Sequence, residues 1–144
     1  MAITQLSAFL ENSSGALCEA VSALTDAGVN IRALSVAETK DFGILRLIVS
    51  DREKTREALD DEIIIRETPV IAVNMNDQSG ALKGILEILK EAQINIEYIY
   101  AFTGAVQGSA YVVMRVDDIN EAESVLSENG IKTLTDEDMD NFLV

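Results

Sequence analysis

The sequence contains no histidine, no tryptophan, a single cysteine (Cys18) and a single proline (Pro69). Each shortage removes a class of chemistry. Without histidine there is no Ser–His or Cys–His pair and no imidazole to act as a base near neutral pH, so the chain is not expected to be an enzyme. One cysteine cannot close an internal disulfide, which fits a reducing cytoplasm. Nothing basic lies near Cys18 in sequence to hold it as a thiolate, so a small packed or half-exposed side chain is expected there. Basic residues are scarce as well: 11 Lys and Arg against 25 Asp and Glu leave a formal net charge of −14. Such a surface repels phosphate backbones and anionic headgroups, so neither nucleic acid nor membrane is expected as a partner. No run approaches the roughly 20 apolar residues that cross a bilayer. The N-terminal stretch also lacks a basic, apolar leader. These absences point to the cytoplasm.

Loops for phosphates and metals are missing too. No glycine-rich turn is followed by the Lys and Ser/Thr of a nucleotide loop. Asp136, Glu137, Asp138 and Asp140 follow Thr135 without the glycine and final glutamate of a calcium loop. They read instead as an N-cap and an acidic first helical turn. Asp117 and Asp118, and Asp60, Asp61 and Glu62, read as turn and cap residues. No cofactor or metal is expected.

What the chain does have is a repeat. Its 144 residues, 48% of them hydrophobic, can build one ordinary domain or two small ones. Sliding the sequence by 65 positions (80 minus 15) brings Ser14, Gly15, Ala16 and Leu17 onto Ser79, Gly80, Ala81 and Leu82. The same offset aligns Leu24 with Leu89, Ala27 with Ala92, Asn30 with Asn95 and Ile31 with Ile96. A duplicated supersecondary unit follows, and it decides the fold.

Each copy shows the same order of patterns. Alternating residues 3–10 and 70–75 read as strands, with Leu6, Ala8 and Leu10 on one face, and Ile71, Val73 and Met75 likewise. After a glycine turn, Leu17, Val21 and Leu24 recur at helical spacing, as do Leu82, Ile85, Leu86 and Leu89. Gly28 suits the left-handed end of the first helix; Gln93 holds that place in the second. Strands are expected at 31–37 and 44–49, and at 96–102 and 110–116. Helices are expected at 52–59 and 119–127, and closing strands at 63–66 and 131–134. Strand, helix, strand, strand, helix, strand is the ferredoxin-like βαββαβ order, an α+β fold with both helices on one face of an antiparallel sheet. Residues 1–67 form the first unit and 68–144 the second, with Pro69 at the joint. On the strands, Phe9, Ile44, Ile48, Tyr111 and Val113 alternate with the helix-facing residues, so the other face is expected to be covered rather than solvated. Tyr98, Tyr100 and Phe102 form an aromatic stripe suited to packing.

The repeated turn admits two readings. In one, a neighbouring serine or acid caps the helix and glycine supplies only a backbone angle. In the other, the turn presents backbone N–H groups at a helix N-terminus to a carboxylate, and glycine lets a ligand approach. Asn30 and Asn95 lie far from the turn of their own unit. A turn and an asparagine from different units would together describe the two ends of an α-amino acid.

With these residues the sequence resembles the ACT domain family, in tandem. Asp77, Gly80 and Leu82 match its Asp-x-x-Gly-x-Leu signature, and Asn12, Gly15 and Leu17 match it with Asn for Asp. Ala27, Gly28, Val29, Asn30 and Ile31 resemble the signature closing the first helix. Ala92, Gln93, Ile94, Asn95 and Ile96 repeat it, with Gln93 in place of glycine. The resemblance covers nearly the whole chain, about sixty residues twice. It implies a regulatory module that pairs with like units, here as a homodimer, and binds a small molecule, commonly an amino acid, between units. It places ligand contacts at Asn12, Ser13, Ser14, Gly15, Ala16 and Leu17, and at Asn76, Asp77, Gln78, Ser79, Gly80, Ala81 and Leu82. Asn30, Ile31, Asn95 and Ile96 complete them. The effector would act on a separate partner, such as a metabolic enzyme. The alternative is a structural module that dimerises or controls such an enzyme and binds no ligand. Since Asp77 adds negative charge to the second turn, the first, with Ser13 and Ser14, is the one expected to take a carboxylate.

Overall fold

The computed structural model describes residues 2–11, 13–39, 41–59, 61–76, 78–103 and 109–142. The chain divides into two compact units, Thr4–Thr68 and Pro69–Val144, the latter joined by Met1–Ile3. The first contains β1 (Ile3–Glu11), α1 (Ala16–Asp26), β2 (Ile31–Glu38), β3 (Phe42–Val49) and α2 (Arg52–Ala58). Strand β4 (Ile64–Asn76) carries the chain from the first unit into the second. There follow α3 (Ala81–Glu91), β5 (Ile96–Thr103), β6 (Ser109–Val116), α4 (Ile119–Glu128) and α5 (Asp136–Phe142).

In the first unit β3 lies between β2 and β1, antiparallel to both. In the second, β6 lies between β4 and β5 in the same way. The period-two alternation read from the sequence is the one the sheets use. Leu6, Ala8 and Leu10 of β1 meet Leu45 and Leu47 of β3 in a core closed by Ala20 and Leu24 of α1 and by Leu59. Ile71 and Val73 of β4, Val112 and Met114 of β6, Ile85 and Leu89 of α3, and Ala122 and Leu126 of α4 form its counterpart. Helices cover one face of each sheet because only that face carries an unbroken apolar stripe.

On the opposite face Ile48, Tyr111 and Val113 are buried, and Phe9 and Ile44 half-buried. The aromatic stripe is also half-buried; Phe102 stacks on Tyr111 with ring centres 5.3 Å apart. These residues are packing, as expected for large apolar rings.

Three expectations need correction. The closing strand of the first copy does not stop before Pro69: β4 runs through it, since the proline's fixed angle is compatible with extended chain. Residues 131–134 form no strand of their own. Thr133 makes an isolated bridge with Val73, and Leu134 N–H donates to the Ala72 carbonyl at 2.8 Å. Gly130, in the left-handed region, ends α4, and a capping box at Thr135 starts α5 at once, leaving no length for a ladder. Finally, the buried stripe of α1 is Ala20 and Leu24, and Leu17 is 40% exposed. Leu82 in α3 is likewise 38% exposed. Both leucines stand beside the repeated turns.

The second unit's acidic residues cap helices as read. Asp118 accepts from Glu121 N–H at the start of α4. Thr135 Oγ1 accepts from Asp138 N–H while an Asp138 carboxylate oxygen accepts from Thr135 N–H. That backbone N–H, chiefly, holds the Asp138 carboxyl below its ordinary range; the Thr135 hydroxyl and Lys132 add to it against partial burial. In the first unit Asp51 caps α2 by accepting from Lys54 N–H. Asp61 and Glu62 lie in a turn; Asp60 is outside the described residues.

Candidate ligand sites

The repeated glycine is explained first by its backbone. Gly15 has φ 86° and Gly80 φ 91°, each the cap residue from which a helix departs. An L-residue there would set its Cβ against a carbonyl oxygen, so glycine is favoured on steric grounds alone. Beyond its own chain neighbours, a Cβ built on either would meet no atom within 4 Å. The space beside each turn is open.

Neither helix start carries the expected serine or acid cap among the described residues. Instead Ala16 N–H donates to the Ser13 carbonyl at 3.3 Å, and Ala81 N–H to the Gln78 carbonyl at 3.2 Å. The next N–H groups, on Leu17 and Cys18 and on Leu82 and Lys83, have no described side chain accepting from them. Ser13, Ser14, Gly15 and Leu17 are exposed and Ala16 half-buried; Asn76, Gln78, Ser79, Gly80 and Leu82 are exposed and Ala81 half-buried. Asn12 and Asp77 lie outside the described residues. Cys18 is exposed, its sulfur 4.0 Å from the Ser22 hydroxyl.

Asn30 and Asn95 have matching structural roles. Asn30 N–H donates to Ser50 Oγ at 2.9 Å, and Ser50 N–H returns a bond to the Asn30 carbonyl at 2.9 Å. Asn95 N–H donates to Asp117 Oδ1 and its carbonyl accepts from Asp117 N–H, both at 3.1 Å. These backbone clamps tie each asparagine to the end of the neighbouring strand, while both asparagines are exposed and Ile31 and Ile96 half-buried. Just before them, Gly28 (φ 74°) and Gln93 (φ 60°) adopt the same left-handed turn. Gly28 N–H donates to Thr25 O and Val29 N–H to Leu24 O; Gln93 N–H donates to Lys90 O and Ile94 N–H to Leu89 O. This is the Schellman pairing that satisfies the last carbonyls of a helix. The substitution of glycine by Gln93 leaves the helix ending intact.

Within a unit, therefore, turn and asparagine sit at opposite ends of an 11-residue helix, about 16 Å long. They cannot share one small ligand. What does adjoin each turn is a cavity inside its own unit, which sequence reading missed. The first, about 710 Å³, is lined by Ser13 and Ala16 of the turn, Ala20 and Ala23 of α1, Leu10, Phe42, Leu59 and Ile63, and by Glu11, Glu19 and Glu62. The second, about 380 Å³, is lined by Asn74, Asn76, Ala81, Ile85, Ile131 and Lys132. Asn95 and Ile96 line a separate hollow with Gln93 and Lys90, at the far end of α3. The 65-residue offset aligns the strand and helix parts of the two linings, Leu10 with Met75, Glu11 with Asn76, Ala16 with Ala81 and Ala20 with Ile85, which is the signal that could have found them.

Charge distinguishes the two. Glu11, Glu19 and Glu62 line the first cavity, whose described lining has no lysine or arginine. Glu19 also occupies the first turn of α1, where it answers the helix dipole itself. The second cavity has Lys132, and α3 has no acid in its first turn. The folded chain thus sets three acids beside the first turn and one lysine, itself paired with Asp138 at 3.7 Å, beside the second.

The two units share one order of elements and an exposed glycine turn each, and the described residues gather no group of acids or cysteines suited to a metal. The sequence matches the ACT domain pair family over residues 1–143, and the chain belongs to that family. It is similar to the crystal structure of protein BT0572 from Bacteroides thetaiotaomicron, with 38% identity, 96% of each chain covered and a TM-score of 0.88. The fold is shared with the regulatory subunit of aspartate kinase from Thermus thermophilus in its ligand-free form: 15% identity, 88% of this chain and 90% of that one, TM-score 0.64. The corresponding subunit from Thermus flavus is similar at 12% identity over 89% and 93%, with a TM-score of 0.59. No curated protein matches the sequence. Among the described residues no helix is long and apolar enough to cross a membrane.

Proposed function

We propose that the protein is a non-enzymatic regulator that binds an amino acid at its glycine turns and controls a separate protein partner. The observation that carries this reading is the turn itself. Left-handed Gly15 and Gly80 leave first-turn N–H groups uncapped by any described side chain, beside open space, in both copies. Such groups, together with the helix dipole, favour a carboxylate. The second unit suits it better, because Lys132 and the amides of Asn74 and Asn76 line the adjoining cavity. The exposed amides of Asn30 and Asn95 then serve the ammonium end of a ligand held at a turn of a second copy in a homodimer. Regulation requires the ligand to favour one state of the partnered protein over another.

A thermal-shift screen of the standard amino acids tests this. A ligand at about 100 times its dissociation constant adds about 2.7 kcal/mol of stability. Gly80→Val, which cannot hold the left-handed turn, should abolish the shift for a ligand bound at α3, with the circular dichroism spectrum retained. No shift with any amino acid, together with stable co-purification of an enzyme, would instead identify a purely structural interaction module.

A further inference from the structure

The cavity of the first unit differs from its counterpart in two independent ways, and both point to a ligand of different chemistry. The first is space. At the helix positions where α3 carries Ile85 and Ile88, α1 carries Ala20 and Ala23. Both alanines line the first cavity, and its volume is about 710 Å³ against about 380 Å³ for the second. A hollow of this size, floored by buried Leu10, Ala20 and Leu59, falls within the usual range for small-molecule sites. The second difference is charge. Asn76 stands where the first unit has Glu11, and Gly84 where it has Glu19. An apolar floor beneath a rim of carboxylates matches a molecule with an apolar body and one cationic end.

We propose that the first unit's cavity binds a small alkyl or aryl ammonium compound, its hydrocarbon part over Ala20, Ala23 and Leu59 and its cation against Glu11 and Glu19. The exposed ring of Phe42, 53% accessible and in the cavity wall, adds an aromatic face for the cation. This site needs no carboxylate on the ligand and no contribution from the glycine N–H groups. It therefore stands or falls separately from amino-acid binding at α3.

The test is titration of n-hexylamine and n-hexanol into the isotope-labelled full chain, followed by amide chemical shifts. Hexylamine, up to about 10 mM for so small a probe, should move the amides of Glu19, Ala20, Ala23 and Ile63 and leave those of Ala81 and Ile85 in place. Hexanol should bind about tenfold or more weakly, since it lacks the charge-assisted contact. The double change Glu11→Gln and Glu19→Gln should weaken hexylamine by a similar factor without touching the fold. Ala20→Ile with Ala23→Ile, which copies the second unit, should remove binding by filling the hollow. Glu121→Gln with Glu128→Gln, on α4, controls for general attraction to an acidic surface and should change nothing. The proposal is overturned by any of three results: no shifts with hexylamine, equal affinity for hexanol, or an effect of the α4 control as large as that of the cavity variant.

Discussion

Ala20 and Ile85 occupy the same place in their helices, and both are buried. So do Leu24 and Leu89, yet only the first of these pairs differs in size. The contrast separates what the duplication kept from what it let change. Kept are the backbone devices: a left-handed glycine before each first helix, a left-handed residue after it, and a two-bond clamp at each asparagine. Changed are the cavity walls, where Ala, Glu and Phe in one copy face Ile, Asn and Lys in the other. Backbone geometry tolerates few residues at a positive φ, whereas an exposed wall accepts any side chain that keeps the core closed. Two units with one scaffold can therefore present different surfaces to ligands.

Four measurements would break or sharpen this comparison. The largest effect concerns the shared core. Leu24→Ala and Leu89→Ala, at 0% and 1% exposure, should each cost about 2–5 kcal/mol in urea unfolding. Similar losses support equivalent cores; a loss confined to one would show that the cores are not equivalent. Next come the turns. Gly15→Ala and Gly80→Ala should each cost about 1–2 kcal/mol, since alanine is strained at these angles even with open space around it. A neutral result at either position would mean that the turn does not need its glycine.

The helix endings give a smaller and opposite pair. Gln93→Gly should stabilise the chain by about 1 kcal/mol, and Gly28→Gln should destabilise it by about as much, because both positions are left-handed. Thermal midpoints that move in the same direction for both would contradict the matched Schellman endings. The smallest effect is the pH dependence of Asp138, which has no counterpart in the first unit. Its pKa is lowered in the folded state, so its stabilisation is present above its unfolded pKa of about 4 and is lost as pH falls through the folded value. Comparing urea midpoints of wild type and Asp138→Asn at about pH 6 and about pH 3 should show the difference shrinking in acid.

The fold was legible because its signals are local or repeated. Period-two strands at Leu6, Ala8 and Leu10, helical spacing toward Leu24 and Leu89, and the 65-residue echo lead directly to two βαββαβ units. Three details escaped, the first being residues 131–134, which make only a bridge from Thr133 to Val73 in place of a closing strand. Pro69 looked like a strand boundary but fits the extended backbone of β4. Leu17 looked like a core residue, although the side chain a helix buries depends on its rotation against the sheet, which leaves Leu17 40% exposed.

Site residues divide in the same way. The glycine of each turn could be picked out in the chain, since a repeated glycine at a helix start implies a special backbone angle. The cavities could not. Glu11, Glu19 and Glu62 come from a strand end, a helix face and a later turn, and look like ordinary surface acids until the first unit folds them around one hollow.

Sequence alone determined the duplicated α+β scaffold and its paired glycine turns, because periodicity and backbone sterics act over a few residues. Tertiary structure alone decided that the two turns adjoin cavities of different size, the first lined by three acids and the second by none among the described residues. Electrostatics and packing depend on which distant side chains are brought together, and no local pattern records that.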